Sequence, residues 1–581
     1  VNDARPENPA PTPAPRHDER DPHDERDPHD ERDRIAEVAS RVFGWAELRP
    51  GQADAIAAVV GGRDVLAVMP TGYGKSAVYQ IAGHLIDGPT VVVSPLISLQ
   101  VDQVDHIRER MGAEEAVAVN SGQSRCANDA AWEAIASGEA EFIFLAPEQL
   151  ARDEVIDELT GLGVGLFVVD EAHCVSAWGH DFRPDYLRLG GVIERLGGPR
   201  ILALTATGSA PVREEIVERL GMRDPLVSVR GFDRPNVHLA VVRHESDADK
   251  QRALRAQLAE LERPGLVYVA TRSDTEVLAS ELESEGMRAA AYHAGLRSGE
   301  RTAVHERFQA GELEVVVATS AFGMGIDKPD VRFVVHGDVT DSIDSYYQEV
   351  GRGGRDGAPA AATLHYRPED LGLRTFFAAG HPDAERVKAV VRALAPRGRR
   401  RRLPMAEIAE VSELPARSSE NIVNLLIEAG IADEDENGVT LSRRITQGDA
   451  VTAVHEASDQ RRRIEESRLA MIRAYAETLG CRRQFLLGYF GDDLAEPCGN
   501  CDTCESGSAY EHGRAGSKKD ARDRAGSPFA EGDRVEHVSW GEGAVVTVEA
   551  DRLTVFFESE GYKVLSLEAV EEHGLLTAVA A

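Results

Sequence analysis

The stretch from Val65 to Ser76, VLAVMPTGYGKS, limits the fold more than any other part of the chain. Four apolar residues, Val65 to Val68, read as a strand buried on both faces, the signature of a parallel sheet covered by helices. They run into a glycine-bearing turn, Thr71-Gly72-Tyr73-Gly74, and then into Lys75-Ser76, which should open a helix. Strand, glycine turn and helix start together make a phosphate-binding loop, because the N–H groups of the turn and of the helix N-terminus suit a polyanion. Lys75 brings a mobile positive charge for β- and γ-phosphates, and Ser76 a hydroxyl for Mg²⁺. Two positions stand apart. Met69 occupies a site where glycine or alanine is usual. Tyr73 is the one bulky side chain in the cradle, so it needs ordinary dihedrals and a ring directed away from the phosphates.

One such unit does not use 581 residues, and three to five units are expected. The spacing of strands, turns and composition shifts gives these bounds: a low-complexity tail over 1–34, a first α/β unit over 35–228, a second over 229–375, a helical winged-helix-like unit over 376–456, a cysteine-bearing module over 457–507, a Gly/Ser/Lys/Arg-rich linker over 508–528, and a small β unit over 529–581. The tail repeats His-Asp-Glu-Arg-Asp-Pro from His17 and His23, with a variant at His29, and offers nothing apolar to bury. Six cysteines in this length argue against a disulfide scaffold. With no secretory signal and no apolar run long enough to span a bilayer, a cytoplasmic location is expected. The formal net charge of -34 disfavours general adhesion to nucleic acid, but a local basic groove is compatible with an acidic total.

Chemistry-bearing residues recur after the apolar runs. Trp45, Arg49 and Gln52, just ahead of the phosphate loop, can stack on and pair with an adenine, or can be ordinary surface and core residues. Ser94 follows a second buried strand at the sheet edge where ligands bind. Asp170-Glu171 follow a third: Asp170 can hold Mg²⁺ across from Lys75, and Glu171 can take a proton from an attacking water. Trp178, His180, Phe182 and Arg183 mix aromatics with charge beside that centre, where the rings stack on bases or pack a loop. Thr205 and Thr207 end another strand, with hydroxyls placed to sense the nucleotide. The second α/β unit has no phosphate loop of its own but carries Arg352 and Arg355, which suit a lobe closing over the first.

In order along the chain stand LRPGQ, MPTGYGKS, VVSPLISL, DEAHCVSAWGHDFRP, ALTAT, DRPN, AAYHAGL, VVATSAFGMGIDKPDVRFVVH and SYYQEVGRGGRDG. This set resembles the RecQ-type DNA helicases of superfamily 2, over about residues 35–375 and again 470–505. The resemblance implies two RecA-like lobes, ATP and Mg²⁺ as cofactors, and 3′ to 5′ movement on single-stranded DNA with unwinding of forked or branched DNA in repair or recombination. It implies Trp45, Arg49 and Gln52 for the adenine, Thr71, Gly72, Gly74, Lys75 and Ser76 for the phosphates, and Asp170 as the second Mg²⁺ contact. Glu171 becomes the base, Arg355 the arginine finger with Arg352 beside the γ-phosphate, and Gly325 and Asp327 part of the nucleotide site. Ser94, Trp178, His180, Phe182, Arg183, Thr205, Thr207, His293 and Thr319 become the residues that contact DNA or couple it to hydrolysis. MPTG is the family's own form. Tyr73 in place of glycine, Ala82-Gly83 in place of proline-alanine, and Gly353 between the arginines in place of alanine are departures that remove no charged catalytic group. Two alternatives share the motor: an RNA helicase, and a DNA-stimulated ATPase that recruits a partner without separating strands.

In the last third, Cys481, Cys498, Cys501 and Cys504 put four thiolates within reach of one ion, and Zn²⁺ with four sulfurs fits a reducing compartment. The set also resembles the RecQ zinc module, which places a helix from Ile464 to Leu479 against it. Residues 405–441 read as helix, turn, helix, hairpin, with Ser418 or Ser419 as a start for the second helix; in the resembled family a winged helix follows the zinc site rather than preceding it. The arginines at 397 and 399–402, with Arg443 and Arg444, are its candidates for duplex contact. Residues 529–581 read as an SH3- or Tudor-like barrel. They resemble the tail module of UvrD-like helicases, which implies a protein partner such as RNA polymerase and a module whose deletion leaves the motor intact.

Overall fold

A computed structural model describes residues 28–579 apart from 96, 113–114, 121, 177–182, 324–327, 373–380, 396–401, 436–437, 512–527, 531 and 549–551. Its first described helix, Pro28–Arg41, begins inside the segment expected to be an unfolded tail, and buries Ile35 and Ala39 against the first lobe.

Seven strands form the first sheet: β1 (Val65–Val68), β2 (Thr90–Val93), β3 (Ala116–Val119), β4 (Phe142–Leu145), β5 (Leu166–Val169), β6 (Arg200–Thr205) and β7 (Leu226–Val229). All pairs are parallel, in the order β3-β4-β2-β5-β6-β1-β7. Both faces are covered, which is why these strands are near-continuous apolar runs rather than alternating ones. Because β5, β6 and β1 are neighbours, the loops at their carboxyl ends share one edge. The Met69 N–H donates to the Thr205 carbonyl at 3.0 Å, and the Asp170 N–H to the Val93 carbonyl at 2.9 Å.

Residues 230–236 lead to a second all-parallel sheet: β8 (Val237–Arg243), β9 (Gly265–Tyr268), β10 (Ala289–Tyr292), β11 (Val315–Ala318), β12 (Phe333–His336) and β13 (Ala360–Tyr366), in the order β10-β11-β9-β12-β13-β8. The helix Ile343–Val350, capped where the Ser342 hydroxyl accepts from the Ser345 N–H, delivers Arg352 and Arg355 just past its end. Inside this lobe Lys250 is buried, and its ammonium donates to Asp338 at 2.7 Å and Asp370 at 2.8 Å.

The winged-helix-like unit has the expected connectivity. Helices Ala384–Leu394, Met405–Ser412 and Ala416–Glu428 precede the hairpin of β14 (Ala432–Asp435) and β15 (Gly438–Leu441), and Leu403 bridges to Val439 as a third strand position. The third helix starts at Ala416 rather than at Ser418 or Ser419, because Pro415 at its cap fixes the entry. Ser419 is instead buried, with its hydroxyl 3.3 Å from that of Ser412. Of the basic run, residues 397 and 399–401 lie outside the described residues; Arg402 pairs with Asp433 at 2.8 Å, and Arg443 and Arg444 are exposed. The helix expected from Ile464 is longer. It runs from Gln447 to Glu477, capped by Thr446, and so belongs to both the winged-helix-like unit and the cysteine module.

The last segment is a five-stranded antiparallel sheet: β16 (Arg534–His537), β17 (Gly541–Val548), β18 (Arg552–Phe557), β19 (Gly561–Ser566) and β20 (Leu576–Ala578), in the order β19-β18-β17-β16-β20. It has its own core around Val535, Leu553, Val555 and Phe557. It is not a free appendage: Tyr562 is buried outside that core, its N–H donates to the Ser467 hydroxyl at 2.6 Å, and its ring lies 5.5 Å from that of Tyr489.

The short helix Arg482–Phe490 is where everything meets. The Tyr489 hydroxyl donates to Asp344 of the second lobe at 2.6 Å. Arg213 of the first lobe donates to the Phe490 carbonyl at 2.8 Å. The Phe490 ring stacks on Phe232 of the inter-lobe segment at 4.6 Å, and Arg483 donates to the Val237 carbonyl at 2.6 Å. One continuous buried cluster therefore runs from the first sheet through Tyr346, Tyr475 and Phe490 to Tyr562. Tyr489→Phe takes a donor from a buried carboxylate and is expected to lower stability by about 1–3 kcal/mol. The readout is a fall in the thermal midpoint, and an unchanged midpoint would show that this junction contributes nothing.

Candidate active site and metal centre

The phosphate loop forms as its glycines require. Gly72 and Gly74 sit at φ 77 and 85, and Tyr73 between them keeps a negative φ. The helix Lys75–Leu85 opens behind Gly74. The Lys75 ammonium donates to the Met69 carbonyl at 3.3 Å, across the turn where phosphates would lie. Gln52 is buried and braces the loop: its amide N donates to the carbonyls of Tyr73 at 3.0 Å and Gly74 at 2.8 Å, and its amide O accepts from the Arg49 N–H at 2.7 Å. Arg49 donates to the Gly72 carbonyl. Trp45 stacks parallel to Phe43 at 4.9 Å, with Arg110 5.1 Å from its ring.

Across the edge, Asp170 ends β5. Burial and the neighbouring Glu171 carboxylate push its pKa up to about 7, against the pull of Lys75. A carboxylate raised in this way gains from a divalent cation, so Asp170 with the Ser76 hydroxyl fits Mg²⁺. Glu171 sits at φ 48 and ψ 48, a left-handed conformation that costs a non-glycine residue about 1–3 kcal/mol and is typical of working sites. Its Oε2 lies 3.3 Å from Nδ1 of His173, which in turn is 2.9 Å from the Thr205 hydroxyl; that hydroxyl donates to the Thr207 carbonyl at 2.7 Å. The line Glu171–His173–Thr205–Thr207 is buried throughout. From the other lobe, Arg355 reaches the loop: a Cβ on Gly72 would lie 3.2 Å from Arg355 Cδ and Nε. Arg352 is buried, and its guanidinium would come within 3.4 Å of a Cβ on Gly323.

The four cysteines converge, with all their sulfurs within 4.8 Å of one another. Cys498 and Cys504 Sγ are 3.9 Å apart. A tetrahedral ion with Zn–S bonds of about 2.3 Å sets sulfurs about 3.8 Å apart, so the cluster has the size that Zn²⁺ requires. The Cys498 N–H points at Cys481 Sγ at 3.3 Å and the Asn500 N–H at Cys498 Sγ at 3.4 Å, donors suited to thiolates.

The description "DEAD/DEAH box helicase" matches residues 49–215, "Helicase conserved C-terminal domain" residues 249–357, and "RecQ zinc-binding" residues 437–505. The probable ATP-dependent DNA helicase RecS of Bacillus subtilis is 32% identical over 474 residues, which cover 81% of this chain and 91% of that protein. The chain belongs to the RecQ family. The ATP-dependent DNA helicases RecQ of Pasteurella multocida and Haemophilus influenzae are 35% and 34% identical over 81% and 80% of the chain, which spans 62% and 63% of their lengths. As a RecQ-family member the chain uses ATP with Mg²⁺, and its Cys481, Cys498, Cys501 and Cys504 form the family's zinc site. The matched zinc region begins at 437, so it takes in β15 and the whole long helix. Among the described residues no helix is long and apolar enough to cross a membrane.

The remaining sequence candidates fall in different places. Trp178, His180, Phe182, Gly325 and Asp327 lie outside the described residues. Arg183 donates to the Pro95 carbonyl at 2.9 Å, which ties the end of that stretch to the loop after β2. Ser94 is buried, with Gln100 donating to its carbonyl at 3.0 Å, so it braces that loop from inside. His293 is buried on the second lobe and pairs with Glu276 at 3.0 Å, and Thr319 is half-buried at the end of β11. Sequence reading missed Arg213 and Tyr489, whose partners are far along the chain and leave no local signal. Cys501→Ser is expected to abolish stoichiometric zinc and to lower the thermal midpoint, because structural zinc adds directly to folding free energy. Full zinc content in that variant would contradict the assignment.

Proposed function

We propose that this RecQ-family chain is an ATP-driven motor that moves 3′ to 5′ along single-stranded DNA and separates duplexes, acting on forked or branched DNA in repair or recombination. The observation that most supports the reading is the approach of Arg355 to Gly72 from the opposite lobe, because it makes hydrolysis depend on how the lobes sit. In this reading Lys75 holds the β- and γ-phosphates within the cradle of Thr71, Gly72 and Gly74, and Ser76 and Asp170 hold Mg²⁺. The bound ion supplies positive charge against the phosphate oxygens. Glu171 takes the proton of the attacking water, and Arg355 with Arg352 stabilises charge that develops on the transferring phosphoryl group. Trp45, Arg49 and Gln52 serve the base, and Gly325 and Asp327 complete the site from the second lobe.

His173 and Thr205 carry the state of Glu171 to Thr207. Trp178, His180, Phe182 and Arg183, beginning just past His173, carry it to DNA, with Ser94, His293 and Thr319 along the same path. DNA is held by its backbone and stacked bases rather than read for sequence. Such a protein works in the cytoplasm, on the nucleoid when engaged, and its C-terminal barrel offers a surface for a protein partner.

Lys75→Ala is expected to abolish ATP turnover, and Glu171→Gln to bind ATP but hydrolyse it slowly; retained turnover in the first or wild-type turnover in the second would overturn the assignments. Unwinding of duplexes with single 3′ or 5′ tails, made of DNA or RNA, tests polarity and substrate together. DNA unwinding from the 3′ tail is expected. Equal or better RNA unwinding, or ATPase without strand separation, would favour the RNA helicase or the recruiting ATPase.

A further inference from the structure

Tyr73 is the departure in the phosphate loop that the motor reading leaves without a role. Its ring turns away from the cradle and sits where three segments meet: residues 49–52, the loop itself, and the start of the inter-lobe segment. Its hydroxyl donates to the Pro50 carbonyl at 3.1 Å. The Arg49 guanidinium lies over its face, 5.4 Å from the centroid, while also donating to the Gly72 carbonyl. Beneath it is Gly231, at φ 79, where a Cβ would come within 2.3 Å of the Tyr73 ring. Gly51, at φ 84, is packed less closely, with Arg230 Cγ 2.9 Å from where its Cβ would be. The large residue at 73 and the missing side chain at 231 are thus complementary. Trp45 is engaged differently, stacked on Phe43 with Arg110 beside it, and does not orient Arg49.

We propose that Tyr73 is a positioning residue for the nucleotide base, acting through Arg49, with Gly231 as the socket that seats its ring. The inference rests on the nucleotide-site reading above and adds to it a residue that sets affinity for the base without touching the phosphates. A guanidinium free to leave its ring loses a stacking contact whose usual strength corresponds to about a three- to tenfold change in affinity.

Steady-state ATPase of the full chain with single-stranded DNA, using inorganic tripolyphosphate as a base-free competitive inhibitor, tests this. Tyr73→Gly should raise KM for ATP about three- to tenfold while kcat changes less than about twofold and the inhibition constant of tripolyphosphate stays put. Tyr73→Phe, which keeps the ring, should restore KM. Gly231→Ala, which displaces the ring, should raise KM in the native background and add nothing in Tyr73→Gly. An unchanged KM in Tyr73→Gly, or an inhibition constant for tripolyphosphate that rises in parallel with KM, would overturn the proposal. Turnover retained by Lys75→Ala would instead overturn the nucleotide site itself, so the two failures are distinguishable.

Discussion

Arg355 and Gly72 come from different lobes, separated by most of the motor's length in sequence, and the arrangement proposed for catalysis exists only while they face each other. Neither lobe can complete the cradle alone. In the proposed mechanism the first supplies loop, cation site and base, and the second supplies the positive charge that a phosphoryl group needs as its bonds change. The two are joined at the helix Arg482–Phe490, whose Tyr489 hydroxyl donates to Asp344 on one side and whose Phe490 carbonyl accepts from Arg213 on the other.

That helix is itself held by the cysteines. Cys481 is its cap, and Cys498, Cys501 and Cys504 return from beyond its far end. The long helix Gln447–Glu477 packs on the other side and receives the C-terminal barrel through Ser467. The zinc site, winged-helix-like unit and barrel are therefore one mount for the motor. The barrel's Tyr562 belongs to the same buried cluster as Tyr489 and Phe490, so the barrel is part of that mount.

Most of this was legible in the sequence where a local rule dictates structure. Continuous apolar runs ahead of polar clusters marked the strands at 65–68, 90–93 and 166–169, because strands of a parallel sheet covered on both faces admit nothing else. The glycines at 72 and 74 had to be where φ is positive, and Tyr73 had to turn outward. The four cysteines could be grouped by their spacing. What could not be read is what depends on distant partners. Gln52 read as a residue for the base, and nothing in the sequence showed that its amide also braces the carbonyls of Tyr73 and Gly74. Ser419 looked like a helix start, while Pro415 decides it. The barrel looked separable behind a polar linker, because a buried tyrosine in β19 looks the same in sequence as any strand residue facing inward. Arg213 and Tyr489 carry no signature at all: an arginine on one helix and a tyrosine near the end of another are ordinary until their distant partners, Phe490 and Asp344, are in place.

In the proposed mechanism a charge from the second lobe completes the site of the first. Single-turnover hydrolysis by Arg355→Ala on saturating single-stranded DNA, with ATP affinity measured alongside, tests it most directly. ATP should bind within about threefold of wild type while hydrolysis slows by about 10³ or more. Hydrolysis at the wild-type rate, with ATP bound, would mean that the two lobes do not share one active site.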